Sequence, residues 1–331
     1  MRYMLTIALS LGLATAMTPA VAQTGDGDGT ISIVFENDFF ASDDFNYTNG
    51  TKFSYLSGPK EPKGLARYAA RQVLGMHTGP KARHGFGFGQ SLYTPEDILE
   101  SDPLPGQHPY AAFLYGYYTT MVSEDDRMTQ LTVQAGIVGP SAYGEDVQNF
   151  VHEIFGGDEA QGWDNQIGDE FGLSVTLDKR RRFAASWGND LAVDVIPSYG
   201  ATVGNIRTDA HAGITLRLGE NLADDFGPAR VIPGLGGTSN FSRKSGLSWH
   251  AFGGVEGRVV AHNIFVDGSL FKDEIVTADS RTLVGDAQGG LVLQYGRFQL
   301  SYIHVFRSGE FENSGGSDEF GALSFAMKVG G

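Results

Sequence analysis

Two groups of polar residues have the types and spacing that hydrolytic chemistry needs, and the first pairs His152 with Gln148. An α-helix would place these residues, four apart, on one face with their Cβ atoms about 5–6 Å from each other. A histidine that titrates near neutral pH can act as a general base toward water. The alternative is a helix packed on the rest of the fold, where the two side chains only satisfy each other.

The second group lies where one predicted strand ends and the next begins. Asn37 and Asp38 end the first strand, Thr48 starts the second, and Asp43 and Asp44 fall in the turn between them. Side chains that offer oxygen atoms are the ligands that a hard cation such as Ca²⁺ prefers. The alternative is a capped hairpin loop, because Asn and Asp are also common in turns.

Other catalytic signatures are missing from the chain. It has no G-x-S-x-G motif and no Cys that could act as a nucleophile or hold zinc. His152-Glu153 begins like a zinc protease motif, but Gly156 occupies the position of the second histidine. The sequence therefore offers neither a thiol nucleophile nor a serine on such an elbow.

Composition narrows the class of protein. The chain has 331 residues, 46 of them Gly, and a formal net charge of −15. Such a negative chain is a poor candidate for nucleic-acid binding, which depends on basic patches. After residue 22 there is no run of 18 apolar residues, so no transmembrane helix is predicted. A soluble β-rich protein or a membrane β-barrel remains.

The N-terminus indicates export. Residues 1–22 start with Arg2, continue through an apolar stretch and end in Ala20-Val21-Ala22, which is typical of a secretory signal peptide. We therefore predict a signal peptide at 1–22 and one domain over 23–331.

Segments of alternating polarity, rich in aromatic and β-branched residues, recur along the chain. They predict strands at 30–38, 46–57, 84–92, 109–122, 127–139, 169–179, 189–203, 206–218, 246–260, 261–268, 282–295, 297–307 and 318–329. Closed bacterial membrane barrels have an even number of strands, so one assignment must be wrong, and a false split of 246–268 is the first suspect. The alternation and the export signal favour an all-β, antiparallel transmembrane β-barrel of about 12 strands over a soluble sandwich.

Two further segments, 62–76 and 144–155, predict helices. If the N-terminus is periplasmic and the strands alternate in direction, the helix at 144–155 lies in an external loop. Both polar groups then fall on the same external rim. Two connectors fall at the opposite end, 58–83 and 219–245, and the first of them is basic. Both are long for periplasmic turns.

The order of several motifs resembles the outer-membrane lipid A 3′-O-deacylase family. The motifs are Glu36-Asn37-Asp38-x-Phe40, Tyr47-Thr48-Asn49-Gly50, Gly89-Gln90-x-x-Tyr93-Thr94-Pro95, Pro109-Tyr110-Ala111, Gly139-Pro140, Val147-Gln148-Asn149-x-x-His152 and Gly162-Trp163-x-Asn165-Gln166. The resemblance covers essentially the whole mature chain. The ordered set is specific, whereas each motif alone would be weak.

The resemblance implies a twelve-stranded barrel whose active site lies between the outer barrel wall and a helix in an external loop. It implies calcium-dependent hydrolysis of the ester-linked acyloxyacyl chain at the 3′ position of lipid A. Carried over by position, His152 would activate water, and Asp38 with Asn37 would serve the calcium site. Thr48, Gln148 and Asn37 match catalytic positions. A Ca²⁺ ion at the developing negative charge would remove the need for a serine nucleophile.

The chain departs from the family pattern in one region. Gln107-His108 stands where members often have Asp-Arg before Pro-Tyr-Ala. Some members have basic residues for the substrate phosphates between the positions of Tyr93 and Pro109, but this chain has no Lys or Arg there. That stretch instead carries four acidic residues, Glu96, Asp97, Glu100 and Asp102.

Three functions follow as hypotheses. The first is a Ca²⁺-dependent esterase that acts on lipid A or lipopolysaccharide, as a monomer without nucleic acid, in the outer membrane of a Gram-negative bacterium. The second is an outer-membrane phospholipase, and the third is a non-catalytic barrel or pore. A pore has no need for Asp38, Thr48 and His152 to converge. Their placement therefore discriminates between an enzyme and a pore.

Overall fold

A computed structural model of the chain describes residues 27–38, 46–72, 81–155, 157–187, 191–220, 222, 226–227, 230–231, 238, 240–272, 278–312, 314 and 316–330. The predicted signal peptide at 1–22 lies outside these residues. The strands are β1 (Gly29–Asn37), β2 (Asn46–Leu56), β3 (Lys81–Thr94), β4 (Ala111–Glu124), β5 (Arg127–Val138), β6 (Glu170–Arg181), β7 (Phe183–Trp187), β8 (Leu191–Gly204), β9 (Arg207–Gly219), β10 (Lys244–Asn263), β11 (Leu283–Gly296), β12 (Phe298–Ser308) and β13 (Ser317–Val329). The helices are α1 (Gly64–Gln72), α2 (Gly144–Phe155) and α3 (Ile264–Asp267).

The strands form one closed antiparallel sheet. Apart from β6 and β7, which do not pair with each other, each strand pairs with its sequence neighbour. β1 pairs with β13, and β6 closes the ring on β8. β6 and β7 pair with successive parts of β8 and are separated only by Arg182, so they act as one interrupted strand of the wall. The barrel therefore has twelve strands, as predicted, and the short segment β7 was not among the predicted strands.

The wall turns its apolar residues outward. In β1, Ile31 and Ile33 are 48% and 37% exposed, whereas Ser32 and Glu36 are buried in the lumen. Outward aromatic residues such as Phe86 are also exposed. A soluble sandwich would bury these side chains, so the alternation is that of a membrane barrel. Among the described residues, no helix is long and apolar enough to cross a membrane.

One strand prediction is wrong. Residues 246–268 were split into two strands, but Lys244–Asn263 is a single strand that leads into the short helix α3. The proposed break coincides with a β-bulge between Val260 and His262, which shifts the register of one strand without ending it. The Asn263 side chain accepts a hydrogen bond from the Phe265 N–H and thereby caps α3.

The two helix predictions are confirmed where the structure describes them. α2 has the predicted bounds, Gly144–Phe155. α1 covers Gly64–Gln72 within the predicted 62–76, and residues 73–76 lie outside the described part of the chain.

Ion pairs and aromatic rings occupy the lumen. Arg307 binds Asp286 through two hydrogen bonds of 2.8 Å, and Arg217 binds Asp194 with both side chains fully buried. At the external end, buried apolar residues including Tyr93 and Phe265 pack together across the barrel. The lumen also holds a cavity of about 240 Å³, whose lining includes Tyr93, Phe265 and Arg207.

The long connector between β9 and β10 enters the barrel. The Val231 N–H donates to a Glu36 carboxylate oxygen at 2.7 Å, and Lys52 donates to the Arg230 carbonyl. Arg230 also lies 5.3 Å from the Phe320 ring centroid. These contacts explain why the connector is longer than a periplasmic turn requires: part of it fills the lumen.

Candidate active site

The predicted site residues lie at one end of the barrel. Asn37 ends β1 and Asp38 follows it, Thr48 is near the start of β2, and α2 connects β5 to β6. In an antiparallel barrel these positions share the rim opposite the N-terminal end of β1. The predicted convergence on one rim is therefore confirmed at the level of the strands and loops.

A row of residues on the outer face extends from this rim toward α2. In the strand registers Asn37 pairs with Asn49, Asn49 with Leu92, and Leu92 with Ala112. Directly opposed residues on neighbouring strands point to the same face, and the strands are about 4.8 Å apart. All four side chains are buried, although this face of the barrel is otherwise exposed. External loop elements therefore cover the wall here.

Thr48 is the extra residue of a β-bulge. The register with β3 shifts between Tyr47 and Asn49, so Thr48 has no direct partner. Its carbonyl accepts a 2.8 Å hydrogen bond from Asn37 Nδ2, and its hydroxyl lies 2.7 Å from that of Thr94. The bulge thereby joins Asn37 to the start of β2, within a buried polar layer formed by Asn37, Thr48 and Thr94.

The helix α2 is held on the wall by a small apolar cluster. Leu92 and Ala112 of the wall pack with Tyr110, Ala142 and Trp163 of the loops. Trp163 Nε1 donates a 2.7 Å hydrogen bond to Gln148 Oε1. This bond fixes the amide of Gln148, whose side chain is 2% exposed and whose Nε2 has no hydrogen-bond partner among the described residues.

His152 is bound through one ring nitrogen. Nδ1 lies 2.5 Å from the Asp158 carbonyl, and because a carbonyl can only accept, Nδ1 carries the proton. In the neutral ring Nε2 then keeps its lone pair and can accept a proton. Gln148 and His152 therefore bind separate partners, and the alternative in which they only satisfy each other is wrong.

Gly157 lies against the imidazole. A Cβ at this position would be 2.9 Å from His152 Cγ and 3.1 Å from Nδ1. The absence of a side chain at Gly157 lets the loop turn closely around the ring and bring the Asp158 carbonyl to it.

The residues predicted to bind a metal offer hard oxygen donors. Asp38 contributes a carboxylate that is 4% exposed, and Asn37 contributes Oδ1 while its Nδ2 is bound to Thr48. These donors suit Ca²⁺, which needs 6–8 oxygens in total, so backbone carbonyls, water or substrate would have to supply the rest. No group of three or more His, Cys, Asp or Glu side chains with metal-binding geometry occurs among the described residues.

The cavity in the lumen is separate from these residues. Its lining includes Lys52, Tyr93 and His211, and none of the five predicted site residues. Asn37 and its register partner Asn49 instead follow the outward-facing positions of β1 and β2, on the side of the wall that faces the lipid.

Two loops around the site contain acidic residues and no basic ones, although Lys272, from the loop after α3, donates a hydrogen bond to the Asp169 carbonyl. Residues 94–110 and 139–169 contain no Lys or Arg. Their acidic side chains are all exposed: Glu96, Asp97, Glu100, Asp102, Glu145, Asp146, Glu153, Asp158, Glu159, Asp164 and Asp169. Beneath them His108 is buried and stacks on Tyr93 at a centroid distance of 5.2 Å.

Several contributors to the site were not assigned roles from the sequence. They are Asn49, Thr94, Trp163 and the carbonyl of Asp158. Asn49, Thr94 and Trp163 stand in the quoted motifs, which is the only signal that could have found them. The Asp158 carbonyl is backbone and leaves no signal in residue type.

Comparisons with known proteins agree with the fold. The sequence profile of the family described as outer membrane protein LpxR matches residues 5–329. LpxR from Salmonella typhimurium has a similar structure, with a TM-score of 0.74 and 21% identity over 90% of this chain and 99% of that chain. A search of curated protein sequences found no match.

More distant barrels are also similar. The β domain of the Bordetella autotransporter BrkA has 10% identity and a TM-score of 0.46, and covers 92% of this chain and 100% of that chain. An outer membrane channel from Pseudomonas putida F1 has 12% identity and a TM-score of 0.43, over 95% of this chain and 100% of that chain. These two likenesses are too weak to support any argument about function. On the profile match across nearly its whole length, the chain belongs to the LpxR family of outer membrane proteins.

Proposed function

We propose that this outer membrane protein is a Ca²⁺-dependent esterase that removes the 3′-O-linked acyloxyacyl chain of lipid A, with His152 as the base. Membership of the LpxR family is consistent with lipid A deacylation. The observation that best supports the proposal is that α2, which carries His152, lies on the same rim as the buried Asn37–Thr48 pair and is tied through Trp163 to the outer wall of the barrel. A lipid in the outer leaflet reaches such a site without leaving the membrane.

In the proposed ester hydrolysis one side chain, His152, first accepts and then donates a proton. Nε2 of His152 accepts a proton from water while the water oxygen forms a bond to the ester carbonyl carbon. The bond between that carbon and the sugar oxygen then breaks, and the proton passes from His152 to the leaving sugar oxygen. The products are a fatty acid and a sugar hydroxyl, and His152 is neutral again.

Asp38 and Asn37 are the residues that would hold Ca²⁺. The ion would supply positive charge where the carbonyl oxygen becomes negative. Gln148, held by Trp163, has a buried Nε2 donor without a partner among the described residues and would orient the ester. Thr48 keeps Asn37 in place through its carbonyl.

Mass spectrometry of lipid A from cells that express the protein tests the proposal. The wild type should remove the mass of the 3′ acyloxyacyl chain, and H152A should leave lipid A intact while reaching the membrane in equal amount. A matched control is H84A, since His84 also lies on the wall but at the periplasmic end. An unchanged product pattern for H152A would exclude His152 as the base.

Chelation tests the metal separately. Purified protein in detergent should lose activity in EGTA and regain it with Ca²⁺. D38N should need a higher Ca²⁺ concentration for half-maximal activity, because a neutral amide replaces a charged ligand. Full activity of the wild type in EGTA would contradict the metal assignment but not the role of His152.

A phospholipase is the second candidate, and the acidic loops favour it. Residues 94–110 and 139–169 have no cation to meet lipid A phosphates, whereas a zwitterionic phospholipid carries an amine that acidic side chains attract. The same protein is therefore assayed on phosphatidylethanolamine vesicles. Fatty acid release from these vesicles, with lipid A untouched, would replace the first proposal by the second.

A further inference from the structure

The side chain of Asn49 has an unused hydrogen-bond donor. Its Nδ2 is buried and has no hydrogen-bond partner among the described residues, and the whole residue is only 3% exposed. Buried donors in native proteins are nearly always paired, because loss of water is costly unless a partner replaces it. A donor kept dry and unpaired therefore needs an explanation.

The strand register places Asn49 within the candidate site. It pairs with Asn37 on β1, and it follows directly after the bulged residue Thr48. Opposed residues of an antiparallel pair have Cβ atoms about 4.5–5.5 Å apart. The amide of Asn49 is therefore next to the side chain that would share in holding Ca²⁺.

Asn49 is also close to the elements that support α2. Its other register partner, Leu92, packs in the apolar cluster that contains Trp163. Trp163 in turn fixes Gln148. Asn49 on the barrel and Gln148 on the helix, each with an amide donor that has no partner among the described residues, are therefore both connected to the cluster of Leu92 and Trp163.

We infer that Asn49 is a further catalytic residue, whose Nδ2 donates a hydrogen bond to the carbonyl oxygen of the ester as that oxygen becomes negative. The inference rests on the proposed esterase function. Fixed donors in a site that excludes water stabilise a developing oxyanion without having to reorganise. Because Nδ2 has no partner in the part of the chain that the structure describes, this donor is available to the substrate.

Steady-state kinetics on hexa-acylated lipid A in detergent micelles test the inference. N49L removes the donors at similar size and should lower kcat about 10²–10³-fold, the loss seen for single oxyanion donors, with KM changed little. N49Q keeps an amide and should recover part of the loss. The pH profile of kcat should keep its shape in both variants, because His152 is unaltered.

T51V is the matched control. Thr51 lies on the same outer face of β2, two residues farther from the rim, and should give wild-type kcat. Folding of each variant is checked by the mobility shift between heated and unheated protein on a denaturing gel. If N49L does not fold, N49D, which keeps the shape of the side chain, is measured instead.

The outcomes separate this inference from the proposed function. If N49L lowers kcat less than about tenfold, or changes only KM, the role of Asn49 is overturned. Activity of the wild type on lipid A would still support the esterase. If the wild type cleaves only phosphatidylethanolamine, that lipid replaces lipid A as the proposed substrate. The kcat of N49L is then compared with that of the wild type on phosphatidylethanolamine. If the wild type cleaves neither lipid, both proposals fail.

Discussion

Tyr47 donates its hydroxyl proton to Glu36 inside the barrel, at a distance of 3.1 Å, directly behind the candidate site. Each residue precedes a site residue on its strand, because Asn37 follows Glu36 and Thr48 follows Tyr47. The second Glu36 oxygen accepts from the Val231 N–H of the lumenal connector. The hydrogen bonds of Glu36 in the lumen therefore hold together the ends of β1 and β2 that carry Asn37 and Thr48 on the outer face.

Removal of the Tyr47 hydroxyl should weaken this support. Y47F leaves the buried Glu36 carboxylate short of one donor, and we expect a stability loss of about 1–3 kcal/mol. Because Thr48 and Asn37 are then less well positioned, kcat should also fall. Urea unfolding followed on gels measures the first effect and lipid A kinetics the second. The control is Y295F, because Tyr295 is exposed on the outer wall. Equal stability of Y47F and Y295F would show that the bond from Tyr47 to Glu36 does not stabilise the barrel.

A side chain at Gly157 should impair the base. The Cβ of G157A would meet the His152 ring at 2.9 Å, closer than side chains pack, so the ring or the loop must move. The bond from Nδ1 to the Asp158 carbonyl should lengthen, and kcat should fall at least tenfold while the barrel remains folded. G64A, a glycine with open space around it but positive φ, controls for general backbone strain. A wild-type kcat in G157A would show that catalysis does not depend on the exact position of the His152 ring.

Acid should loosen the loop at 95–110. Burial lowers the pKa of His108 below its ordinary value of 6.5, and it outweighs the opposing hydrogen bond to the Pro109 carbonyl. The open loop binds a proton near pH 6.5 and the closed loop only at lower pH, so closure is fully stable above pH 6.5. This stability is lost as the pH falls from there toward the lowered pKa.

Hydrogen–deuterium exchange measures this opening, after correction for the intrinsic dependence of exchange on pH. Protection of residues 95–110 should decrease from pH 7.5 to pH 5 in the wild type. H108F keeps a ring to stack on Tyr93 but cannot titrate, so its protection should stay constant. The same decrease in H108F would assign the effect to other groups.

The sequence was sufficient for features that depend on local pattern. The alternation in β1 predicted which residues face lipid, and glycines at both ends gave α2 its bounds. The convergence of Asn37 and His152 on one rim followed from strand direction alone. The split at 260–261 failed because a β-bulge interrupts the alternation in the same way that a turn does.

Features set by long-range contacts were not predictable. Val231 reaches Glu36 across 195 positions of the chain, and no local pattern marks a segment that folds into a lumen. The partner of His152 is a backbone carbonyl, which every residue has. Asn49 lies beside Asn37 because of the strand register, which no local pattern specifies.

The protein should not conduct ions through its lumen. At the external end the rings of Tyr93 and Phe265 stack at a centroid distance of 4.3 Å, and Phe113 packs beside them. Below this layer, Arg230 of the connector lies among Glu36 and Asp286. Purified protein in a planar lipid bilayer should therefore give no steady current steps, whereas a porin prepared in the same way gives them. Stable porin-like steps would revive the pore as a function, and they would also mean that the connector leaves the lumen in the membrane.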